Sequence, residues 1–189
     1  MPTSLTSIRL GDGEIIAASR RDPARFAEIF DRHWPRVHRY CVSRAGAAGE
    51  DIAAETFRIA LDSCARFDRA CDDAVPWLLG IATNLLRHNR RSETRRTRAL
   101  LRLHPEPEAD HVDGALDRIE AEALRPRAAE ALAELPSIYR DALLLHVWAD
   151  LSYEQVAEAT RVSVGTVRSR VHRARTYLRS ALTPEEILK

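Results

Sequence analysis

Residues 151–179 read LSYEQVAEATRVSVGTVRSRVHRARTYLR. Ser152 followed three residues later by Gln155 is a capping-box pattern, so a helix begins there, with Val156 and the small Ala157 facing inward. After ATRV, Ser163 is placed to cap a second helix along which Val164, Val167, Val171, Ala174 and Leu178 recur at three- and four-residue spacing. At about 3.6 residues per turn these five side chains share one face. Gly165, Ser169, His172 and Thr176 fall on the opposite face, with Arg168 and Arg173 beside them. A helix with an apolar back, a hydrogen-bonding front and arginine shoulders suits the DNA major groove: the back holds it to its domain, the front reads base edges and the shoulders meet phosphates. The plainer alternative is a solvated amphipathic helix with an arginine-rich surface; the capped helix and short turn just before it favour DNA. The candidate contacts are Thr166, Arg168, Ser169, Arg170, His172, Arg173 and Arg175.

Outward from this segment the chain reads as all helical, because apolar residues keep the same spacing and β-branched alternation is nearly absent. Asp22 and Pro23 form an N-cap and first-turn proline, opening a helix that carries Phe26, Ile29 and Phe30 and that Pro35 is expected to kink or interrupt. A helix follows over roughly 50–61, with Ile52, Phe57 and Leu61 inward and Asp51, Glu55 and Arg58 outward. The polar stretch RFDRACDDAV leads to Pro76 and a helix through WLLGIATNLLRHNRR, whose Leu78, Ile81 and Leu85 form one stripe and whose far end is strongly basic. From 93 to 119 the pattern degrades, with Pro105, Pro107 and Gly114, which marks a linker. AAEALAELP and SIYRDALLLHVWA then read as two helices separated by Pro136. The expected organisation is a tail over 1–21, a helical domain over 22–92, the linker over 93–119, a second helical domain over 120–182 and a short tail over 183–189.

The 189 residues carry a formal net charge of only +1, but the charge is segregated. Residues 87–102 hold seven arginines against Glu93, residues 103–122 hold seven acids against Arg118, and residues 164–179 hold five arginines and no acid. Two basic segments separated by an acidic one predict two contacts with a polyanion and a spacer that avoids it. Lys189 is the single lysine. The arginine bias fits bidentate recognition of phosphate and guanine, and fits genome base composition equally well. With 45% apolar and 30% charged residues the composition suits a soluble protein with real cores. No run approaches the length of a membrane span, and MPTSLTSIRLGDGE has no apolar signal-peptide core, so membrane insertion is not expected and a cytoplasmic location is. Cys41, Cys64 and Cys71 lack CxxC spacing and predict neither a disulfide framework nor a metal site, and nothing points to a cofactor.

Three segments in order resemble one family. LSYEQVAEA at 151–159 with VGTVRSRVHRAR at 164–175 resembles the promoter-reading helix-turn-helix of extracytoplasmic-function (ECF) sigma factors of the sigma-70 family. EDIAAETF at 50–57 is similar to that family's polymerase-binding helix, and WLLGIATNLLRHNRR at 77–91 to its helix for the promoter −10 element. The resemblance spans roughly 22–180 and implies a non-enzymatic factor that binds core RNA polymerase, recognises −10 and −35 elements and helps open the duplex. It implies that Asp51, Ile52, Glu55 and Phe57 meet the clamp of the largest polymerase subunit, although Asp51 and Glu55 also suit a plain exposed face. Asn84, Arg87, His88, Arg90 and Arg91 lie on or near the −10 helix; Asn84 is the candidate for a base edge, and the arginines suit phosphate. Phe67, Asp68, Asp72, Asp73 and Trp77 belong to the segment that would hold a base flipped from the single-stranded non-template strand, with the aromatics equally suited to core packing. The acidic linker would thread a basic polymerase channel, or simply act as a spacer. Members of the family often have an anti-sigma partner.

Two departures stand out. Arg161 occupies a turn position where the family often has glycine, and a left-handed backbone there costs on the order of 1 kcal/mol, which predicts a slightly altered turn. Few rings are available near 66–77 for stacking on unpaired bases. Two rival functions remain. A one-component regulator would explain 151–179 but leaves EDIAAETF and the second basic helix without a role. A DNA recombinase needs a nucleophile with clustered arginines or a carboxylate metal site, and no such group stands out.

Overall fold

In the computed structural model the backbone is described for residues 10–68, 71–101 and 119–183. Every regular element among them is helical: α1 Asp12–Ser19, α2 Ala27–Ala45, α3 Gly49–Asp62, α4 Val75–Leu101, α5 Ile119–Glu134, α6 Ser137–Val147, α7 Tyr153–Thr160 and α8 Val164–Leu182, with short 3-10 turns before and after α2 and after α3. The chain divides into two compact units, 1–86 and 87–189, so α4 begins in the first and continues in the second.

The first unit is built on α2 and α3, which pack side by side. Asp22 caps the 3-10 turn that leads into α2, its carboxylate accepting from the Ala24 N–H at 3.2 Å. The helix then passes through Pro35 without ending. Pro35 and Asp31, the residue whose carbonyl loses its donor to the proline, are both exposed, so the missing hydrogen bond falls on the solvent side of the helix, where an interior proline costs least. The Tyr40 hydroxyl lies 3.0 Å from Thr83 Oγ1 in the core, joining α2 to α4. Gly49 marks the closest approach of α3 to α2: a Cβ there would fall inside the backbone of Cys41 and Val42. Residues 12–19, expected as tail, instead form α1 and bury Ile15 and Ile16 completely. The sequence signal for this helix is weak because its apolar pair is short and its remaining residues are small or charged.

In the second unit α8 packs on α5, α6 and α7. Pro136 separates α5 from α6 as expected, and Leu145, Leu151, Val156, Val167 and Val171 form its buried centre. The segment expected as linker from 93 onward is shorter than anticipated at its start, since α4 continues to Leu101; arginine is a good helix former, and a basic stretch need not end a helix. Residues 102–118, including the acidic run, lie outside the described residues, as do the tail at 184–189 and positions 1–9.

Candidate nucleic-acid and polymerase interface

The helix pair α7–α8 has the geometry its sequence demands. Ser152 Oγ accepts from the Gln155 N–H at 3.2 Å while Gln155 Oε1 accepts from the Ser152 N–H at 2.9 Å, closing the capping box. Ser163 Oγ accepts from the Thr166 N–H at 3.2 Å, which starts α8. Between the caps Arg161 takes φ 54° and ψ 47°. The turn therefore keeps its left-handed residue despite the side chain, correcting the altered turn expected from the missing glycine. The energetic reason is local: the Arg161 side chain is exposed and its N–H donates to the Glu158 carbonyl at 3.2 Å, so the chain absorbs a small backbone penalty.

Along α8 Val167, Val171 and Ala174 are buried, while Val164 and Leu178 are half-buried at the two ends of the stripe. Gly165, Ser169, His172 and Thr176 are exposed, as are Arg168, Arg173 and Arg175, whereas Thr166 and Arg170 are half-buried at the edge. Two tyrosines that composition did not single out orient these arginines. The Arg168 guanidinium lies over the Tyr153 ring at 5.8 Å, and Arg173 lies over Tyr139 at 6.0 Å while donating to its hydroxyl at 3.1 Å. Tyr153 is itself stacked on His146, with centroids 4.4 Å apart. Such contacts limit the rotamers each arginine must give up on reaching a phosphate or base. Arg175 sits apart from these two, beside an apolar groove lined by Leu143, Val147, Trp148 and Leu178.

In the first unit, α3 exposes Asp51 and half-exposes Glu55, whose carboxylate is held by Arg58 at 2.6 Å. The hydrogen bond from Arg58 holds the Glu55 carboxyl below its ordinary value against the opposing effect of desolvation, with the Arg58 charge adding a smaller lowering. Ile52 and Phe57 are buried, facing inward as their spacing predicts, which leaves the clamp contact that the resemblance implies for them without an exposed side chain. Phe57 lies under Phe30 and Trp34, with ring centroids 5.0 and 5.8 Å away, so these two carry the aromatic surface outward in its place. Phe30, Trp34 and His38 stack in series at i, i+4 and i+8 on α2. That spacing is visible in the sequence, but Pro35 obscured it by suggesting a break.

On α4 the buried stripe is Leu78, Leu79, Ala82 and Leu86; Ile81 and Leu85 are only half-buried, a rotation of the expected stripe. Asn84, His88 and Arg90 are exposed. In the second unit, which starts at Arg87, that residue pairs with the fully buried Asp141, and Arg90 donates to the Ala133 carbonyl at 2.7 Å. Each arginine is thereby oriented through one nitrogen and keeps further N–H groups that can meet a phosphate. The Arg91 side chain is outside the described residues. Before α4, Asp68, Asp72 and Asp73 are exposed, while Phe67 is buried against the half-buried Trp77, ring centroids 4.9 Å apart. Phe67 thus supports the segment from within, and Trp77 is the ring with an accessible edge. Among the described residues no group of His, Cys, Asp and Glu is placed to hold a metal ion, and no helix is long and apolar enough to cross a membrane.

A basic, capped helix-turn-helix in one unit and a second basic helix leaving the other define a promoter-recognition protein of the sigma type. Comparison with known proteins agrees. The family models for Sigma-70 region 2 and Sigma-70, region 4 match residues 29–96 and 126–178. The chain is 31% identical over 175 residues to the RNA polymerase sigma factor CarQ of Myxococcus xanthus, covering 88% of this chain and 95% of that protein. It is 30% identical over 172 residues to the ECF RNA polymerase sigma factor SigW of Bacillus subtilis, covering 85% and 90%. Among solved structures, CnrH in complex with the cytosolic domain of CnrY superposes with a TM-score of 0.62 at 21% identity, covering 90% of this chain and 96% of that one. The sigma factor RpoE in complex with the anti-sigma factor NepR from Bartonella quintana gives 0.60 at 24%, covering 85% and 98%. The chain belongs to the ECF group of the sigma-70 family and is an RNA polymerase sigma factor, a transcription-initiation protein that acts with core polymerase at promoters. A one-component regulator leaves the region 2 match unexplained.

Proposed function

We propose that the two units divide promoter recognition between them. In the second, the front of α8 reads the −35 element, with Arg168, Ser169 and His172 reaching base edges and Thr166, Arg170, Arg173 and Arg175 anchoring the backbone. Along α4, Asn84 at the end of the first unit and His88 just past its boundary approach the −10 element, with Arg87, Arg90 and Arg91 supplying phosphate contacts. Asp68, Asp72, Asp73 and Trp77 border the place of an unpaired non-template base, and Asp51 and Glu55 meet the clamp of the largest polymerase subunit. The protein performs no catalysis of its own and works in the cytoplasm, where chromosome and polymerase are. Because RpoE, a sigma factor of the same fold, is bound by the anti-sigma factor NepR, we infer that a protein of that kind holds this chain too.

The observation that carries this reading is α8 itself: a buried Val167, Val171 and Ala174 back, opposite an exposed polar front with arginines already oriented by Tyr153 and Tyr139. A lost base contact typically costs about 1–3 kcal/mol and relaxes preference at one position, whereas a lost phosphate contact weakens all sequences and lowers the salt slope by about one unit. In holoenzyme tested against a library of −35 sequences at two salt concentrations, Arg168→Ala should flatten discrimination and Arg173→Ala should weaken binding uniformly. If Arg168→Ala left the preferred sequence intact and lowered affinity uniformly, Arg168 would be an anchor only.

A further inference from the structure

Asp12 opens α1, and its side chain is 6% exposed. Its Oδ2 accepts from the Ala74 N–H at 2.8 Å and lies 2.6 Å from His33 Nε2. Its Oδ1 accepts from Arg32 Nη1 at 3.1 Å, and the same nitrogen donates to the Leu10 carbonyl at 2.9 Å. The Asp12 N–H points to the Asp72 carbonyl at 3.4 Å, and a Cβ on Gly11 would meet Asp72 Oδ1 at 2.9 Å. Two remote stretches of chain therefore run in contact, residues 11–12 against residues 72–74. Asp73 adds the local half of the arrangement, its Oδ1 accepting from the Val75 N–H at 2.9 Å to begin α4.

A carboxylate at this depth is costly unless its lone pairs are filled. Burial is the largest single influence on the Asp12 carboxyl and pushes its pKa up, but the His33 hydrogen bond, the Ala74 N–H, the His33 charge and Arg32 together hold it below its ordinary value. The backbone N–H it takes up is one of the unfilled donors at the start of α4, where negative charge is also favoured by the helix dipole. Asp12 thus ties the start of α4, and the three residues 72–74 that lead into it, to α1.

We propose that Asp12, braced by His33 and Arg32, is a positioning residue for the segment 72–75, holding Asp72, Asp73 and Trp77 in the arrangement that receives the unpaired −10 strand. This rests on the reading of that segment given above. Helix α1 is then part of the strand-capturing apparatus, and not merely an extension of the core. The effect is preorganisation: a segment already held in its bound path has less freedom to lose on taking up the strand.

The test uses holoenzyme assembled from the full chain, and a fluorescent oligonucleotide carrying the −10 non-template strand of a promoter mapped by start-site sequencing. Asp12→Ala should weaken oligonucleotide binding about tenfold, a loss of preorganisation alone, while affinity for core polymerase stays within about twofold. Asp12→Asn, which keeps an acceptor for the Ala74 N–H, should fall between. His33→Gln tests the brace independently should Asp12→Ala fail to fold, and should also weaken the oligonucleotide selectively. A doubly substituted Asp72→Ala/Trp77→Ala chain is the reference for the segment itself. If that reference loses the oligonucleotide and the Asp12 and His33 variants do not, the positioning role is overturned and the segment's role stands. If the reference also binds like the wild type, the segment does not hold the strand and the proposal falls with it. If core affinity drops in proportion to oligonucleotide binding, Asp12 serves the fold alone.

Discussion

Replacing Arg161 by glycine should stabilise the second unit. The residue sits at φ 54° and ψ 47° in the turn between α7 and α8, where a Cβ approaches the following carbonyl and costs roughly 1–2 kcal/mol. Glycine removes that penalty but adds freedom to the unfolded chain, which returns about 0.4–1 kcal/mol. The net gain is therefore about 0.8 kcal/mol at the middle of those ranges, and for a unit of this size about 1 kcal/mol moves the midpoint by 4–8 °C. Arg161→Ala is the control, because it deletes the same exposed side chain and keeps the Cβ. Thermal unfolding of the full chain, followed by amide exchange in α7 and α8, should place Arg161→Gly a few degrees above both wild type and Arg161→Ala. A glycine variant no more stable than the alanine variant would refute the backbone argument. The −35 preference should be unaltered, since the front of α8 is untouched.

Reversing both charges in an Asp51→Lys/Glu55→Lys variant should abolish co-purification with core polymerase while far-ultraviolet circular dichroism stays unchanged; retained binding would remove α3 from that interface. Burial drives the Cys41 thiol up to about 12, the nearby Arg44 charge only partly opposing it, so iodoacetamide at pH 8 should label Cys71 in the folded protein and spare Cys41, as peptide mass mapping would show. The lowered Asp12 carboxyl makes a pH prediction with a definite sign. Its contribution to stability is full above its ordinary value of 3.8 and is lost as pH falls through the lower folded value. Asp12→Asn should accordingly flatten the acid limb of urea stability below about pH 4; an unchanged acid limb would show that the carboxylate is not held as described.

The helical class, the capped helix-turn-helix and the polar front of α8 were legible because each follows from local chemistry: Ser152 with Gln155, Ser163, and a strict three-four spacing. What escaped depended on contacts distant in sequence. Nothing near Asp12 announces a partner at Ala74, so residues 12–19 looked like tail. Phe57 and Ile52 sit in a motif that resembles a binding surface, yet the outward aromatics are Phe30 and Trp34, one helix away. Tyr139 and Tyr153 gain their roles only when α6 and α7 bring them under Arg173 and Arg168. Pro35 misled for the opposite reason, a strong local rule being relaxed by exposure.

If this chain directs core RNA polymerase to promoters through two separate elements, the start sites it produces must carry both. Transcripts from a genomic template, transcribed by purified core polymerase with and without the chain, should be sequenced at their 5′ ends. A discrete set of start sites should appear that depend on the chain and share two upstream sequence elements, near −10 and −35. Start sites unchanged by its addition, or dependent on it with only one shared element, would rule out promoter recognition through two elements.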